Sequence, residues 1–494
     1  MNYIGISSGF HDAAVSVIDQ SGNILFAGHS ERYSKQKHDK ELTQLAVCNA
    51  LDYITDDYEV HYYEKPWLKF LRQIRAGEPL SLQNLSARNM IGRLNWVTLD
   101  KQPIHTHSHH LSHAAAGFQT SPFTEATVVI IDAIGEFDTI TIWDASYNER
   151  GQARYKKLWS RRYPDSIGLF YSAMTKRVGL KPLDEEYILM GMAAYGEPRH
   201  YTAIHSELLE NSANLSFSHN LHLGVPDDFL EGAGDMDIAA SSQQVVEHLI
   251  MNVMIRAKIL GRSDNLVYGG GVALNCLANR NLHQKFKNIW IMPNPGDAGS
   301  SLGAAALGHG GKINWQNAYL GYNIDRPYPV NALLEELLHG NIVGVASGRA
   351  EFGPRALGNR SLLADPRGPL IKDKVNEIKR RQQFRPFAPV ILEEFADQFF
   401  DMSCGSSDNR YMQFIATCRR PDLFPAIVHH DGTSRVQTVP KDGSGIRELL
   451  EKWYLMTECP MLLNTSLNIR GEPMVNNVSD AERFSKLYGV PVLS

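Results

Sequence analysis

Cysteine is scarce in this chain, with five in 494 residues, at 48, 276, 404, 418 and 459, and no CxxC pair. Such a small, odd and scattered set excludes a disulfide framework and a cysteine zinc site. Long apolar runs are also missing. Runs such as ATVVIID and GNIVGVA fall far below the ~20 residues that a membrane span requires. Positive charge is not in excess: 49 Lys and Arg face 54 Asp and Glu, a net charge of −5. That balance argues against a protein that coats nucleic acid or an anionic membrane. The opening MNYIGISSGFHDAAV has no basic segment leading into an apolar one, so no signal peptide is expected. We therefore expect a soluble, cytoplasmic protein with no membrane partner. At 43% hydrophobic and 21% charged residues it belongs with ordinary globular chains, not with disordered or collagenous ones. The length alone suggests about three domains, with two large ones equally ordinary.

The N-terminal NYIGISSG, AAVSVIDQSGNILFAGHSE reads as a hairpin or meander turning at QSGN. Residues 41–54 carry a helical pattern, as do residues 243–260 with apolar side chains at 245, 246, 249, 250, 253, 254 and 257. Strands are expected at ATVVIID, DTITIWDA, NLVYG and IWIMP, and a helix at GDAGSSLGAAALG. A glycine-rich stretch at 308–323 is taken as the boundary between domains 1–318 and 325–494. Beyond it the charge changes sign: residues 341–390 hold ten Lys and Arg against four Asp and Glu. Strands are expected there at NIVGVA, FAPVILEE and PMLLN, with helices near 371–381, 446–456 and 479–487. No repeat of solenoid period is present.

Three motifs carry chemistry. In HTHSHHLSHAAAGF, His109 and His113 lie at i and i+4, the helical spacing that points two imidazoles at one ion. A histidine-rich turn capping a helix is the bland alternative. Asp132 ends the strand of VVIIDAIGEFD and Asp297 follows IWIMP, where α/β proteins place functional carboxylates. Two His and two Asp suit iron, manganese, magnesium or zinc alike. Second, VYGGGVALNC carries Gly269, Gly270 and Gly271 after a strand, a place where backbone N–H groups can approach a phosphate. It matches neither GxGxxG nor the P-loop, and tight helix–strand packing would explain it equally. Third, SGRAEFGPRALGNRSLLADPR sets Arg349, Arg355 and Arg360 among glycine and proline, with Arg385 in the following KRRQQFRPFAPV. Arginine favours bidentate phosphate contacts; a solvated charge run fits EIKRR well and GPRALGNR poorly. Arg435, Asn464, Ser466 and Asn468 add further polar groups downstream.

Eleven collinear motifs, among them GISSGFHDAAV, SERYSKQKHD, HHLSHAAAGF, MGMAAYGEP, GRAEFGPRALGNRS and LNTSLNIRGEP, resemble the O-carbamoyltransferase family over nearly the whole chain. The resemblance implies an α/β protein with an actin/sugar-kinase-like (TsaD-like) N-terminal domain and an α+β YrdC-like C-terminal domain. It implies that the second domain forms carbamoyladenylate from carbamoyl phosphate and ATP with Mg. The first would transfer the carbamoyl group to an acceptor hydroxyl, beside a divalent metal. By that resemblance His109, His113, Asp132 and Asp297 bind the metal, with iron foremost and magnesium or manganese as alternatives. His11 and Asp12 are catalytic, Gly269 to Gly271 and Asn275 face the adenylate, and Arg349, Arg355, Lys379, Arg385, Arg435, Asn464 and Ser466 hold ATP and carbamoyl phosphate. A homodimer is left open. The chain departs from the family's KLMGLAPYG, with Ile188 for Lys and Ala194 for Pro, so a cation is expected to be missing or replaced.

The acceptor is expected to be a natural-product or sugar hydroxyl. A hydroxymethylated nucleobase is the alternative, so nucleic acid enters only as acceptor. Two rivals from other classes are a sugar-kinase-like phosphotransferase and an inactive nucleotide-binding regulator. A kinase would yield ADP, whereas adenylate chemistry yields pyrophosphate and AMP.

Overall fold

Three strands, β1 (Asn2–Ser7), β2 (Ala14–Ile18) and β3 (Ile24–His29), form the expected antiparallel meander. β4 (Tyr58–Tyr62) then pairs parallel to β1, and β5 (Ile104–Thr106) parallel to β4, giving the order β3-β2-β1-β4-β5. The next stretch repeats this pattern. β6 (Glu125–Ile131), β7 (Asp138–Tyr147) and β8 (Ala153–Arg162) are an antiparallel meander. β9 (Asn265–Gly269) pairs parallel to β6, and β10 (Asn288–Trp290) parallel to β9. Counted from its own first strand, the second sheet has the order 3-2-1-4-5 of the first. This duplicated mixed sheet is the actin/sugar-kinase-like architecture expected. Strands such as β2 and β6 are almost wholly buried, as sheets covered on both faces require.

The computed structural model describes residues 1–76, 82–402 and 408–494. Cys404 lies outside the described residues, and the other four cysteines are free thiols. The chain divides into one unit of Met1–Ser30 with His38–Gln316 and another of Glu31–Lys37 with Asn317–Ser494. No single cut separates them, because seven residues of the early chain count with the second unit. Strand β11 (Tyr319–Ile324) begins inside the glycine-rich stretch read as a boundary.

Two helices position the first unit's site. α1 (His109–Thr120) is buried along nearly its whole length, packing Ala114 and Phe118 against Val128, Ile130 and Val267 of the second sheet. Small residues allow the approach of α3 (Ser300–His309): a Cβ at Gly303 would stand 1.8 Å from the Ser112 carbonyl oxygen, and one at Gly5 equally near Ser301 O. Between them in sequence, α2 (Asp235–Leu260) begins eight residues before the expected 243. Its first eight residues, DMDIAASS, hold only Met236 and Ile238 as large apolar side chains, too few to read as a stripe, yet Ile238, Ala239 and Ala240 are buried. The helix read over 41–54 is confined to Gln44–Leu51.

In the second unit, β12 (Val343–Ala346), β14 (Arg360–Ala364), β15 (Ala388–Leu392), β16 (Gln437–Val439), β17 (Met461–Ser466) and β18 (Val492–Leu493) form one mixed sheet ordered β16-β15-β17-β14-β12-β18. β13 (Gly348–Glu351) pairs with β11 instead. Side chains alternate across the main sheet. Val343, Val345 and Leu363 meet α4 (Val330–Leu338) and α6 (Gly445–Thr457), while Ala346 and Leu362 meet α7 (Val478–Tyr488). Helix α5 (Ile371–Ile378) ends inside the EIKRR run, just before Lys379. The solvated-run reading fails at Lys379, which is 4% exposed. Among the described residues no helix is long and apolar enough to cross a membrane.

Candidate metal centre and anion-binding residues

The first turn of α1, the end of β6 and the turn before α3 bring His109, His113, Asp132 and Asp297 together, with ligand atoms within 4.8 Å of one another. The His109 and His113 Nε2 atoms are 3.1 Å apart. Asp132 Oδ2 is 3.0 Å from His109 and 3.5 Å from His113, and Asp297 Oδ1 is 3.4 Å from each. An ion bound at ~2.0–2.2 Å holds neighbouring donors ~3.0–3.5 Å apart, so this cage has the spacing of a single first-row ion. Charge agrees with geometry. Burial alone would keep both imidazoles neutral, but the carboxylates of Asp297 and Asp132 outweigh it and draw positive charge to this point. The donor set therefore fits a divalent metal.

A further carboxylate, absent from the sequence reading, supports the cage. Glu64, fully buried, accepts from His109 Nδ1 at 3.3 Å, which leaves Nε2 as the lone-pair nitrogen facing the cage. Lys69 Nζ holds the same Glu64 oxygen at 3.1 Å and lies over the Phe10 ring. Glu136 takes the N–H groups of His109 and Lys65. No spacing rule marks Glu64, although its place just after a buried strand is the position that singled out Asp132.

His11 and Asp12 sit in a chain of hydrogen bonds, not alone. His11 Nδ1 bonds Asp12 Oδ2 at 2.9 Å and Nε2 bonds the Leu183 carbonyl at 3.0 Å. His38 Nδ1 bonds the other Asp12 oxygen at 2.8 Å, and its Nε2 meets Asp184 at 3.0 Å. Because a carbonyl only accepts, both nitrogens of His11 donate and the ring is an imidazolium. Burial opposes that charge; Asp12 overcomes it and lifts the pKa of His11 to about 10. For His38 the same opposition is overcome by Asp12 and Asp184, lifting it to about 9. His38 and Asp184 went unnoticed in the sequence, though the KHD of SERYSKQKHD contains the first.

The glycine run serves packing first. Gly270 has φ +87°, and a Cβ there would stand 2.1 Å from Ile131 O. Gly271 N–H donates to Asp132 Oδ1 at 3.3 Å, so this turn orients a cage carboxylate. Gly269 ends β9, where a Cβ would press on Ile130. Asn275 caps the following turn at Ala278 N–H and exchanges amide hydrogen bonds with Gln243. Ile188, where a lysine was expected, is 1% exposed in the core. That position packs and carries no charge.

In the second unit Asn464 donates to Ala356 O at 3.0 Å and to Gln437 at 2.7 Å, gathering the Arg355 loop, β16 and β17. Lys379 Nζ is bonded by Ser466 O, Ser466 Oγ, Asn468 O and Asn468 Oδ1. Burial, then Arg381 and Arg385, push its pKa well below the usual lysine range. Arg349 donates to Leu320 O and Gly321 O, and Arg360 gives its guanidinium wholly to backbone carbonyls, so both brace the frame. Arg355, Arg385 and Arg435 are half-buried.

Two family models match, Carbamoyltransferase N-terminus over residues 2–306 and Carbamoyltransferase C-terminus over residues 334–493. An uncharacterised Synechocystis protein is 32% identical, covering 97% of this chain and 93% of its own. Nodulation protein NolNO of Sinorhizobium fredii is 31% identical, covering 95% of this chain and 76% of its own. Among solved structures, component A of the (R)-2-hydroxyglutaryl-CoA dehydratase of Acidaminococcus fermentans is 14% identical at a TM-score of 0.35, covering 62% of this chain and 97% of that one.

Proposed function

This chain belongs to the carbamoyltransferase family, and we propose that it is an ATP-dependent O-carbamoyltransferase working in two half-reactions. In the first, carbamoyl phosphate and water give carbamate and phosphate. A carbamate oxygen then attacks the α-phosphorus of ATP, with Mg as its counter-ion, and pyrophosphate leaves. In the second, an acceptor hydroxyl attacks the carbamoyl carbon and AMP departs. The acceptor is an alcohol of a sugar or natural product, and the compartment is the cytoplasm.

The observation that carries this reading is a buried two-His, two-Asp cage in a chain whose second unit adds an arginine-bearing cluster, where Asn464 gathers the Arg355 loop and Arg381 and Arg385 stand close enough to act on buried Lys379. A sugar-kinase-like phosphotransferase would have no use for the second cluster. Several negative charges arrive with ATP and carbamoyl phosphate, and half-buried Arg355, Arg385 and Arg435 offer bidentate partners. A divalent ion held by His109, His113, Asp132 and Asp297, iron foremost, supplies Lewis acidity where oxygen gains negative charge during transfer. His11, held as a cation by Asp12, adds a positive charge to the same unit. Glu64 keeps the His109 lone pair turned into the cage. A mixed anhydride is water-sensitive, so forming and using it within one chain limits its loss.

The test is carbamoyl transfer from carbon-labelled carbamoyl phosphate to a panel of sugars, polyketide alcohols and hydroxymethylated nucleosides. Label appearing in a carbamate ester only when ATP is present is the expected result. Label transferred without ATP, or a phosphorylated alcohol, contradicts the reading.

A further inference from the structure

The seven residues Glu31–Lys37 count with the second unit although Ser30 and His38 on either side count with the first. Arg32 is the side chain that seats them. It is 3% exposed, and its Nη2 donates to the Gly353 carbonyl at 3.1 Å. Lys35 fastens the same segment, bonding Arg32 O at 2.6 Å and pairing with Asp480. A guanidinium buried this deeply needs compensating charge, and the carboxylates whose fields act on it are Glu351 first and then Glu31 of its own segment.

Glu351 in turn organises the loop that carries Arg355. It is 1% exposed, and its Oε1 accepts the N–H groups of Leu357 at 2.8 Å, Asn359 at 2.9 Å and Arg360 at 3.2 Å. The loop between β13 and β14 has no helix or strand of its own, so side chains must hold its carbonyls. Ala356 O is held by Asn464, Leu357 O by Gln437 and Tyr319, and Gly358 O by Tyr328. At Gly353, on the side where the chain enters the loop, the donor is Arg32.

We infer that Arg32, contributed by the N-terminal part of the sequence, is a positioning residue for the pyrophosphate-releasing half-reaction, acting through Gly353 and Glu351 on the loop that presents Arg355. The inference rests on the function proposed above. It leads to a result that sequence order alone would not suggest: a substitution before residue 40 impairs adenylate formation. Arg32 touches no reacting atom in this account. It fixes where Arg355 stands.

The experiment measures pyrophosphate release by the full chain from ATP and carbamoyl phosphate without acceptor, for wild type, Arg32→Ala and Arg32→Lys. Arg32→Ala is expected to lose about 10- to 100-fold in kcat/KM, the range that a hydrogen bond from a charged group represents, chiefly through KM for carbamoyl phosphate. Arg32→Lys, which keeps the charge facing Glu351 but not the planar fork, should fall between. Millimolar methylguanidinium should restore Arg32→Ala while methylammonium does not, which a merely structural role would not produce. Wild-type kinetics in Arg32→Ala, or loss without guanidinium rescue, overturns the inference and leaves the functional reading standing. If Arg32→Ala fails to fold, Arg32→Lys decides: a raised KM at unchanged melting temperature supports the inference, and wild-type KM overturns it. Absence of carbamoyl-phosphate-dependent pyrophosphate in the wild type removes the functional reading itself.

Discussion

His109 and His113 present their Nε2 atoms to one point, 3.1 Å apart, with Glu64 fixed behind the first of them. Elemental analysis of the purified protein should therefore find about one transition metal per chain, and His113→Ala should lose most of it. Glu64→Gln keeps the shape but weakens the acceptor behind His109, so chelator competition should show about 10- to 100-fold weaker metal binding. Unchanged affinity in Glu64→Gln would mean that the Glu64 contact does not tune the cage.

Gly303 governs how closely α3 approaches α1, since a Cβ there would collide with the Ser112 carbonyl at 1.8 Å. Gly303→Ala should cost about 1–3 kcal/mol by overpacking. Because Asp297 stands just ahead of α3, metal content should fall with stability. A variant that loses stability yet binds metal normally would show that the cage does not depend on this approach.

His11→Ala should leave pyrophosphate release intact and lower carbamoyl transfer by at least ~100-fold, the scale of a lost acid–base or charge-stabilising group. Assays of the two half-reactions on one preparation separate them. Loss of both would mean that His11 also serves adenylate formation.

The charged forms of His11 and His38 stabilise the fold through Asp12. Their folded values, about 10 and about 9, lie above the ordinary 6.5, so this stability is complete below about pH 6.5 and is lost as the pH rises through about 9 to 10. The melting-temperature gap between wild type and His38→Asn should be widest near pH 6 and narrow towards pH 10. A gap that widens with pH would contradict the assigned charges.

Strands and helices with strong periodicity, such as β6 and α6, were legible from side-chain pattern alone, and so was the i, i+4 histidine pair. The duplicated sheet was not. Its two copies share an order of strands and directions of pairing, neither of which leaves a repeated string of residues. Lys379 misled because its neighbours Arg380 and Arg381 make the run look solvated, whereas its own side chain turns inward to Ser466 and Asn468. Glu64 and His38 were missed because each works through a partner distant in sequence, His109 and Asp12, and only folding brings them together. Arg32 was hidden for the same reason, lying over three hundred positions before the loop it holds.

The most direct test of the account is the fate of ATP given carbamoyl phosphate and no acceptor. The two-step reading predicts pyrophosphate release that requires carbamoyl phosphate, with AMP appearing as the adenylate breaks down. It predicts that this release survives removal of the cage metal by chelation, once Mg is restored, while transfer to an alcohol is lost. ADP in place of AMP and pyrophosphate, with the alcohol phosphorylated, would contradict the account.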